Sequence, residues 1–472
     1  VNHLTKISCL FLICSSVPLD SRRNGLGTRS SAATESKLDT VNTNLAIVAA
    51  SLSTLIAQNS AIANNTSATA INTAGNGGSV ASMVVLKNLS GANHNGVGTH
   101  WDHPLNITPA TVGNVFKFSE NIVFSTVANI TAESAAIVVG KDNVTIDLAG
   151  QTLSTTITGN FVHGIFIKPG IKGTQIISST QNVNNKGIIQ DFKGYGIYIA
   201  GSSGATVKNT SIDNISCAYN SKGLHAEYTN DISITNSNFI ANTSPSVLVH
   251  GIYMANIKNA FLNNVKANAN NSSVANAFGI YLENATNSTI EHSFADLNFS
   301  AGAGPSSAYG IYITSTGSST SSSNKIVSCT ANENYFSGNG ANQEAVGILL
   351  TSNGGTTTSN IIANCTTQRN VFTATGATNP AGYGIKTAGA VNNEIRGCTS
   401  SYNANVGIID TATNSSTNTY HSNTCTKNGP GGLTNYSVSF VTEPLKVLRV
   451  QFRDYMGIHN ALSAYANIET VD

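Results

Sequence analysis

Apolar and polar positions along this chain fall into a recurring five-residue frame. HGIFI, YGIYI, KGLHA, HGIYM, FGIYL, YGIYI, VGILL, YGIKT and VGIID place glycines at 164, 196, 223, 251, 279, 310, 347, 384 and 407. After each glycine the residues alternate with period two, which marks a short strand with one buried face. A weaker motif, apolar-x-x-small, runs between the frames, starting at Val207, Ile234, Leu262, Ile290, Ile326, Ile362 and Ile395. Each unit therefore predicts two short strands joined by turn-formers. Helical repeats would show a period of 3.6 and few glycines, and a propeller blade would run to about 40 residues with antiparallel hairpins. The remaining solution is one coil of a parallel β-helix per unit, about ten coils in all.

The G-I-x-apolar repeats, over Ile107 to Cys425, resemble the right-handed parallel β-helix proteins of the pectate-lyase-like superfamily. The entry segments ITPATVGNVFKFSENI and AAIVVGKDNVTIDLAGQTL resemble the first coils of its secreted members. The resemblance implies an all-β solenoid. It leaves function open, because the same coil carries lyases, hydrolases, adhesins and viral fibres. Coils in register stack about 4.8 Å apart, so equivalent residues form columns. The second and fourth residues of each G-I-x-apolar repeat are expected inside, as with Ile165 and Ile167, Ile197 and Ile199, Ile252 and Met254, Ile280 and Leu282, and Ile311 and Ile313. The glycine is expected to ease the chain around a corner. Longer intervals are expected to hold loops: ANTSPSVLVH from Ala241, SAGAGPSSAY from Ser300, STGSSTSSSN from Ser315 and TATGATNPAG from Thr373.

The domain plan has four parts. Residues 1–21 read as a secretory leader, a lysine ahead of the apolar stretch Ile7 to Val17; a chance apolar patch is the alternative. In 22–80, Leu38, Val41, Leu45, Val48, Leu52, Leu55 and Ile62 follow a heptad-like series. That series fits a coiled coil and a homotrimer through residues 38–62, with Asn59 in the seam, or an amphipathic helix packed on the shaft. Residues 81–429 are the β-helix. Residues 430–472 read as a C-terminal cap, with Leu448, Phe452, Tyr455 and Leu462 on one helical face, or as an assembly segment.

Composition sharpens this picture. Only 10% of residues are charged and the net charge is +1 without a basic cluster, which argues against a nucleic acid partner. No apolar run reaches eighteen residues, so no helical membrane span is expected. The organisation points to a secreted or cell-surface protein.

Candidate chemistry is sparse. Cys329, Cys365 and Cys398 share a column, with Cys425 expected to extend it and Thr210, Ser237, Val265 and Ser293 expected to precede it. Thiolates spread over four coils cannot share one metal at 2.3 Å, so the column reads as small buried residues. No metal or cofactor is assigned. The resemblance raises calcium, but the acidic ligand clusters of its lyases are missing, as are the Asn-Thr-Asp, Gly-His-Gly and Arg-Ile-Lys motifs of its hydrolases. Relatives serving copper enzymes are raised too, without a His or Met cluster here to support them. His163 and His250 precede glycines and read as turn residues.

Two constellations remain. Glu227 and Glu283 follow their frames two coils apart, about 9.6 Å at the backbone. With His225 nearby, they are either the two carboxyls of an inverting glycosidase or exposed glutamates on a solvated face. The third residues of the G-I-x-apolar repeats form an outward column of Phe166, Tyr198, His225, Tyr253, Tyr281 and Tyr312, continued by Leu349, Lys386 and Ile409. Aromatic rings at coil spacing suit a carbohydrate surface, a subunit interface, or simple stacking on one another. The functions that follow are a carbohydrate- or macromolecule-binding scaffold, a polysaccharide lyase or hydrolase, or a structural trimeric fibre.

Overall fold

The computed structural model describes Met83–Leu86, residues 104–429 apart from short stretches between strands, and the strands Tyr436–Val438 and Val450–Phe452. Contacts divide the chain into Val1–Val80 and Ala81–Asp472. The leader and the heptad segment lie outside the described residues, as does most of the C-terminal segment.

The second unit is a right-handed parallel β-helix. Its repeat wall is a sheet of 12 parallel strands, from Leu105–Ile107 through the G-I-x-apolar frames to Tyr436–Val438. A second wall, also of 12 strands, runs from Met83–Leu86 to Thr419–His421. The third wall is split into a sheet of five strands, ending at Asn238–Ile240, and one of four, beginning at Thr366–Gln368. Successive coils pair in parallel on every wall. A strand returning to the same sheet through the other two walls takes the right-handed crossover that strand twist favours.

Side chains fill the interior as the frames predict. Ile165, Ile167, Ile197, Ile199, Ile252, Met254, Ile280, Leu282, Ile311 and Ile313 are all 0% exposed. From the second wall they meet a column of Ile176, Ile212, Ile234, Leu262, Ile290, Ile326, Ile362 and Ile395. One motif was out of register. Val207 pairs with Thr229, and Ile212 is the residue aligned with Ile234. Thr210 therefore does not precede the cysteine column; Ile215 does, opposite Ser237.

The glycines have a different role from the corner turn expected of them. None of those in the frames from 164 to 384 has a positive φ. A Cβ on Gly279 would lie 2.7 Å from the Gly310 carbonyl oxygen and 2.8 Å from that of Ala267. Glycine is required by close approach between coils. Corners are turned instead by single left-handed residues, many of them asparagine, such as Asn236, Asn256, Asn264 and Asn284.

Asparagine also builds the inside of one corner. Asn220, Asn242, Asn270, Asn298, Asn334, Asn370, Asn403 and Asn428 stack one per coil; the Asn220 side-chain oxygen accepts the Phe192 backbone N–H, and from Asn242 on each accepts the backbone N–H of the ladder residue before it. From Asn242 to Asn428 the side-chain amides also donate along the ladder, at 2.9–3.0 Å. A buried turn otherwise leaves backbone donors unpaired, and this ladder satisfies them.

Three further expectations change. STGSSTSSSN is not a bulging loop: one strand continues through Thr316, and Thr320–Ser322 pairs with Thr356–Thr358. Cys425 pairs opposite Ser400, so it belongs to a neighbouring column and not to that of Cys398. Phe452 lies on a strand that pairs with Asn423–Cys425, not on a helical face, and the coil therefore continues past residue 429. Among the described residues no helix is long and apolar enough to cross a membrane.

Candidate functional site

The repeat wall brings the aromatic residues into one column. Phe166 pairs with Tyr198, Tyr198 with His225, His225 with Tyr253, Tyr253 with Tyr281 and Tyr281 with Tyr312. The column runs from Asn106 and Val138 and continues through Leu349, Lys386 and Ile409. Phe166 is buried and His225 nearly so, while the four tyrosines are half-buried.

Beside it stands a second column, formed by the residue before each glycine. His163, Tyr195, His250, Phe278 and Tyr309 belong to it, as does Lys222. His163 and His250 are thus strand residues within an aromatic stack and not turn residues. The letter ahead of each repeated glycine was the available sequence signal for this column. His163 stacks on Tyr195 at 5.0 Å, and Phe278 on Tyr309 at 5.1 Å.

Across the first column, ring planes are turned. Tyr253 meets Tyr281 at 4.8 Å and 68°, and Tyr281 meets Tyr312 at 4.8 Å and 76°. Edge-to-face packing is the arrangement that ring quadrupoles favour. It covers part of each face, so the wall presents ring edges and hydroxyls.

The carboxylates sit among these rings. Ala200, Glu227, Ala255, Glu283 and Thr314 occupy successive rungs, so the glutamates are two coils apart. Glu227 Oε1 lies 2.7 Å from His225 Nε2, and its side chain is 37% exposed. The hydrogen bond to His225 holds Glu227 below the usual carboxylate range, with burial opposing. Glu283 accepts hydrogen bonds from the Tyr253 hydroxyl at 2.9 Å, the Tyr281 hydroxyl at 3.0 Å and the Thr316 hydroxyl at 2.8 Å. Burial, reinforced by Glu283, pushes both phenols well above their ordinary value, so they remain O–H donors. An inverting pair needs one carboxyl raised to serve as an acid. Glu227 is shifted the other way, and both oxygens of Glu283 are engaged.

Lys222 and His250 complete the strip. The Lys222 ammonium lies 5.1 Å from the Tyr195 ring centroid, and burial lowers its pKa. Burial, with the Lys222 and His225 charges added, holds His250 well below its ordinary value. The Nδ1 atoms of His225 and His250 are buried without a hydrogen-bond partner among the described residues. The other cysteines stay in the core: Cys329, Cys365 and Cys398 are 1% exposed, and all three are free thiols. Among the described residues no group of three or more His, Cys, Asp or Glu converges as a metal site.

No family model and no curated protein matches the chain. Solved structures that resemble it are parallel β-helix proteins. The periplasmic alginate epimerase AlgG is 12% identical, with 74% of this chain and 75% of that chain covered and a TM-score of 0.44. The A-module of the Azotobacter vinelandii mannuronan C-5 epimerase AlgE4 is 12% identical over 72% of this chain and 91% of that one, with a TM-score of 0.40. Pectate lyase Pel9A is 16% identical over 61% and 70%, with a TM-score of 0.33. At these identities no residue role is carried across.

Proposed function

We propose that the protein is a secreted or surface-displayed β-helix scaffold whose repeat wall binds a neutral glycan. The observation that carries this reading is the Glu283 carboxylate gathering the Tyr253 and Tyr281 hydroxyls, on the same half-exposed strip as the Glu227–His225 pair. Carboxylates fixed among ring edges offer acceptors for sugar hydroxyls, and the edges of Tyr198, Tyr253, Tyr281 and Tyr312 offer apolar contact. Two carboxylates disfavour an acidic chain at this strip. Phe166 and His225 pack beside the tyrosines as rungs of the same column. The homotrimer through residues 38–62 belongs to the same proposal, as a means of presenting three walls at once, and light scattering with and without residues 1–80 tests it.

The binding test is a panel of neutral and acidic polysaccharides against the full chain. Glu227→Gln with Glu283→Gln keeps volume and removes charge, and is expected to weaken retention of a neutral glycan at least tenfold while the circular dichroism spectrum of the fold is kept. Equal retention by that variant, or no retention by the parent, would overturn the reading. The same panel assayed for new reducing ends or unsaturated products addresses a lyase or hydrolase using Glu227, Glu283 and His225. Turnover abolished by either glutamine variant would replace scaffold with enzyme.

A further inference from the structure

A second concave surface lies on the third wall, away from the aromatic strip. Two columns run side by side over four coils. One sits at a corner and holds Lys186, Asn214, Asn236 and Asn264; the other holds Ile188, Ser216, Asn238 and Lys266. Together they line an open groove of about 530 Å³. Lys186 stands on its first rung and Lys266 on its last, about 14 Å apart along the stack.

The two ammoniums act on each other electrostatically, and that of Lys266 sits 5.8 Å from the Phe294 ring centroid. Lys186 reaches down its column, donating to Asn214 Oδ1 at 3.3 Å and to the Asn236 carbonyl oxygen two rungs on. An ammonium has three donors, so one remains for a ligand. Burial, with the Lys266 charge added, pulls the Lys186 amine below its ordinary value, although Asp213 opposes the shift. Neither ammonium is in an ion pair among the described residues. Asp213 Oδ1 is already occupied by Thr235 Oγ1 at 2.6 Å and Asn236 Nδ2 at 3.0 Å. Two ammoniums on one groove, with the single carboxylate of Asp213 beside Lys186, leave a net positive charge there that favours an anion.

The groove is longer than a simple anion needs. The Asn238 amide and the Oδ1 of Asn264 face along it, while the Asn236 amide is held by Asp213 and Asn264, and Ile188 adds an apolar patch. Nucleic acid would need a longer basic track than two lysines. The geometry points to a second glycan site, one that takes an anionic oligosaccharide with its acidic group between Lys186 and Lys266 and its hydroxyls on the asparagine amides. This site is independent of the repeat wall and opposite to it in charge preference.

Isothermal titration of the full chain tests it with four probes: an oligouronate, a sulfated oligosaccharide of equal length, their neutral parent, and inorganic sulfate. One or both acidic oligosaccharides are expected to bind at least tenfold more tightly than the neutral parent and than sulfate, and to weaken with added salt. Lys186→Met with Lys266→Met should reduce that binding at least tenfold. Lys266→Glu alone, at an exposed position, should do so without any folding question. Glu227→Gln with Glu283→Gln should leave it unchanged, which separates failure here from failure at the repeat wall. Equal binding of the neutral parent, equal binding of inorganic sulfate, or unchanged binding in Lys266→Glu would each overturn the assignment.

Discussion

Replacing Asn270 by alanine should cost far more than replacing its neighbour Asn271, although the two are identical in chemistry. Asn270 is 0% exposed. Its Oδ1 accepts from the Asn242 backbone N–H at 3.3 Å and from Asn242 Nδ2 at 2.9 Å, and its Nδ2 donates to Asn298 Oδ1 and the Phe239 carbonyl. Alanine strands two N–H donors of Asn242 in the core, while Asn298 Oδ1 keeps the Asn270 backbone N–H. At about 1–3 kcal/mol per stranded donor, the loss is about 2–6 kcal/mol. Because coils stabilise only their neighbours, that loss falls on the rungs around residue 242. Asn271 is exposed and its side chain makes no hydrogen bond among the described residues, so Asn271→Ala should stay within about 0.5 kcal/mol. Urea unfolding followed by circular dichroism gives the comparison, and hydrogen exchange at the Asn242 amide localises it. Asn270→Asp keeps the acceptor but turns an oxygen toward Asn298 Oδ1, and should be no better than alanine. If Asn270→Ala shifts the midpoint no further than Asn271→Ala, the ladder does not hold this corner and the reasoning fails.

Three other outcomes follow from the same coordinates. Gly279→Ala must push a Cβ against two backbone carbonyls and should lower Tm by several degrees, whereas Gly204→Ala, with nothing within 4 Å of the added carbon, should be neutral or gain about 0.4–1 kcal/mol. His250 stays neutral in the fold while its unfolded form takes a proton below about pH 6.5, so stability should fall with pH below that value, by at most about 1.4 kcal/mol per unit; His250→Gln should flatten the slope seen in urea midpoints between pH 7 and pH 5. Glu227 behaves in the opposite chemical sense but the same pH direction: its carboxylate is stabilised by His225, a contribution present above its ordinary value of 4.5 and lost as pH falls through the lowered one, and Glu227→Gln should remove that acid-side loss.

The columns were legible because a parallel β-helix turns sequence repetition directly into spatial adjacency. Reading the frames at Gly196, Gly251 and Gly279 was enough to place Tyr198, Tyr253 and Tyr281 in line and their flanking isoleucines inside. Register failed at Val207 because Val207 and Ile212 are both β-branched residues within one long strand, Val207–Asp213, and only pairing with the next coil decides between them. The asparagine ladder recurs once per coil, yet it was lost among many other asparagines, most visibly those that turn corners at positive φ. The reason for the glycines was hidden for another cause. Close approach of Gly279 to the Gly310 carbonyl is a property of stacked coils, and a single strand carries no trace of it. Lys186 and Lys266 share no motif at all; three coils of chain separate them, and only the rungs bring them to one groove.

The two outward strips, as proposed, would let a coil with so uniform an interior distinguish ligands. Inside, each rung repeats its neighbour, so the core sets spacing and little else. Outside, the same spacing converts a substitution at one rung into a change of local charge. On the repeat wall, glutamates at 227 and 283 flank Ala255, and the tyrosine hydroxyls between them are drawn onto Glu283. Since the rings meet edge to face, a ligand there is read by hydroxyls, carboxylates and ring edges more than by stacking. On the third wall, the corner asparagines that the chain needs for its turns are bracketed by lysines, so residues required by the fold become a hydrogen-bonding floor. The two surfaces therefore ask opposite questions of a glycan. A chain carrying both neutral and acidic stretches would satisfy both, and a variant lacking only the lysines or only the glutamates would bind one stretch and release the other.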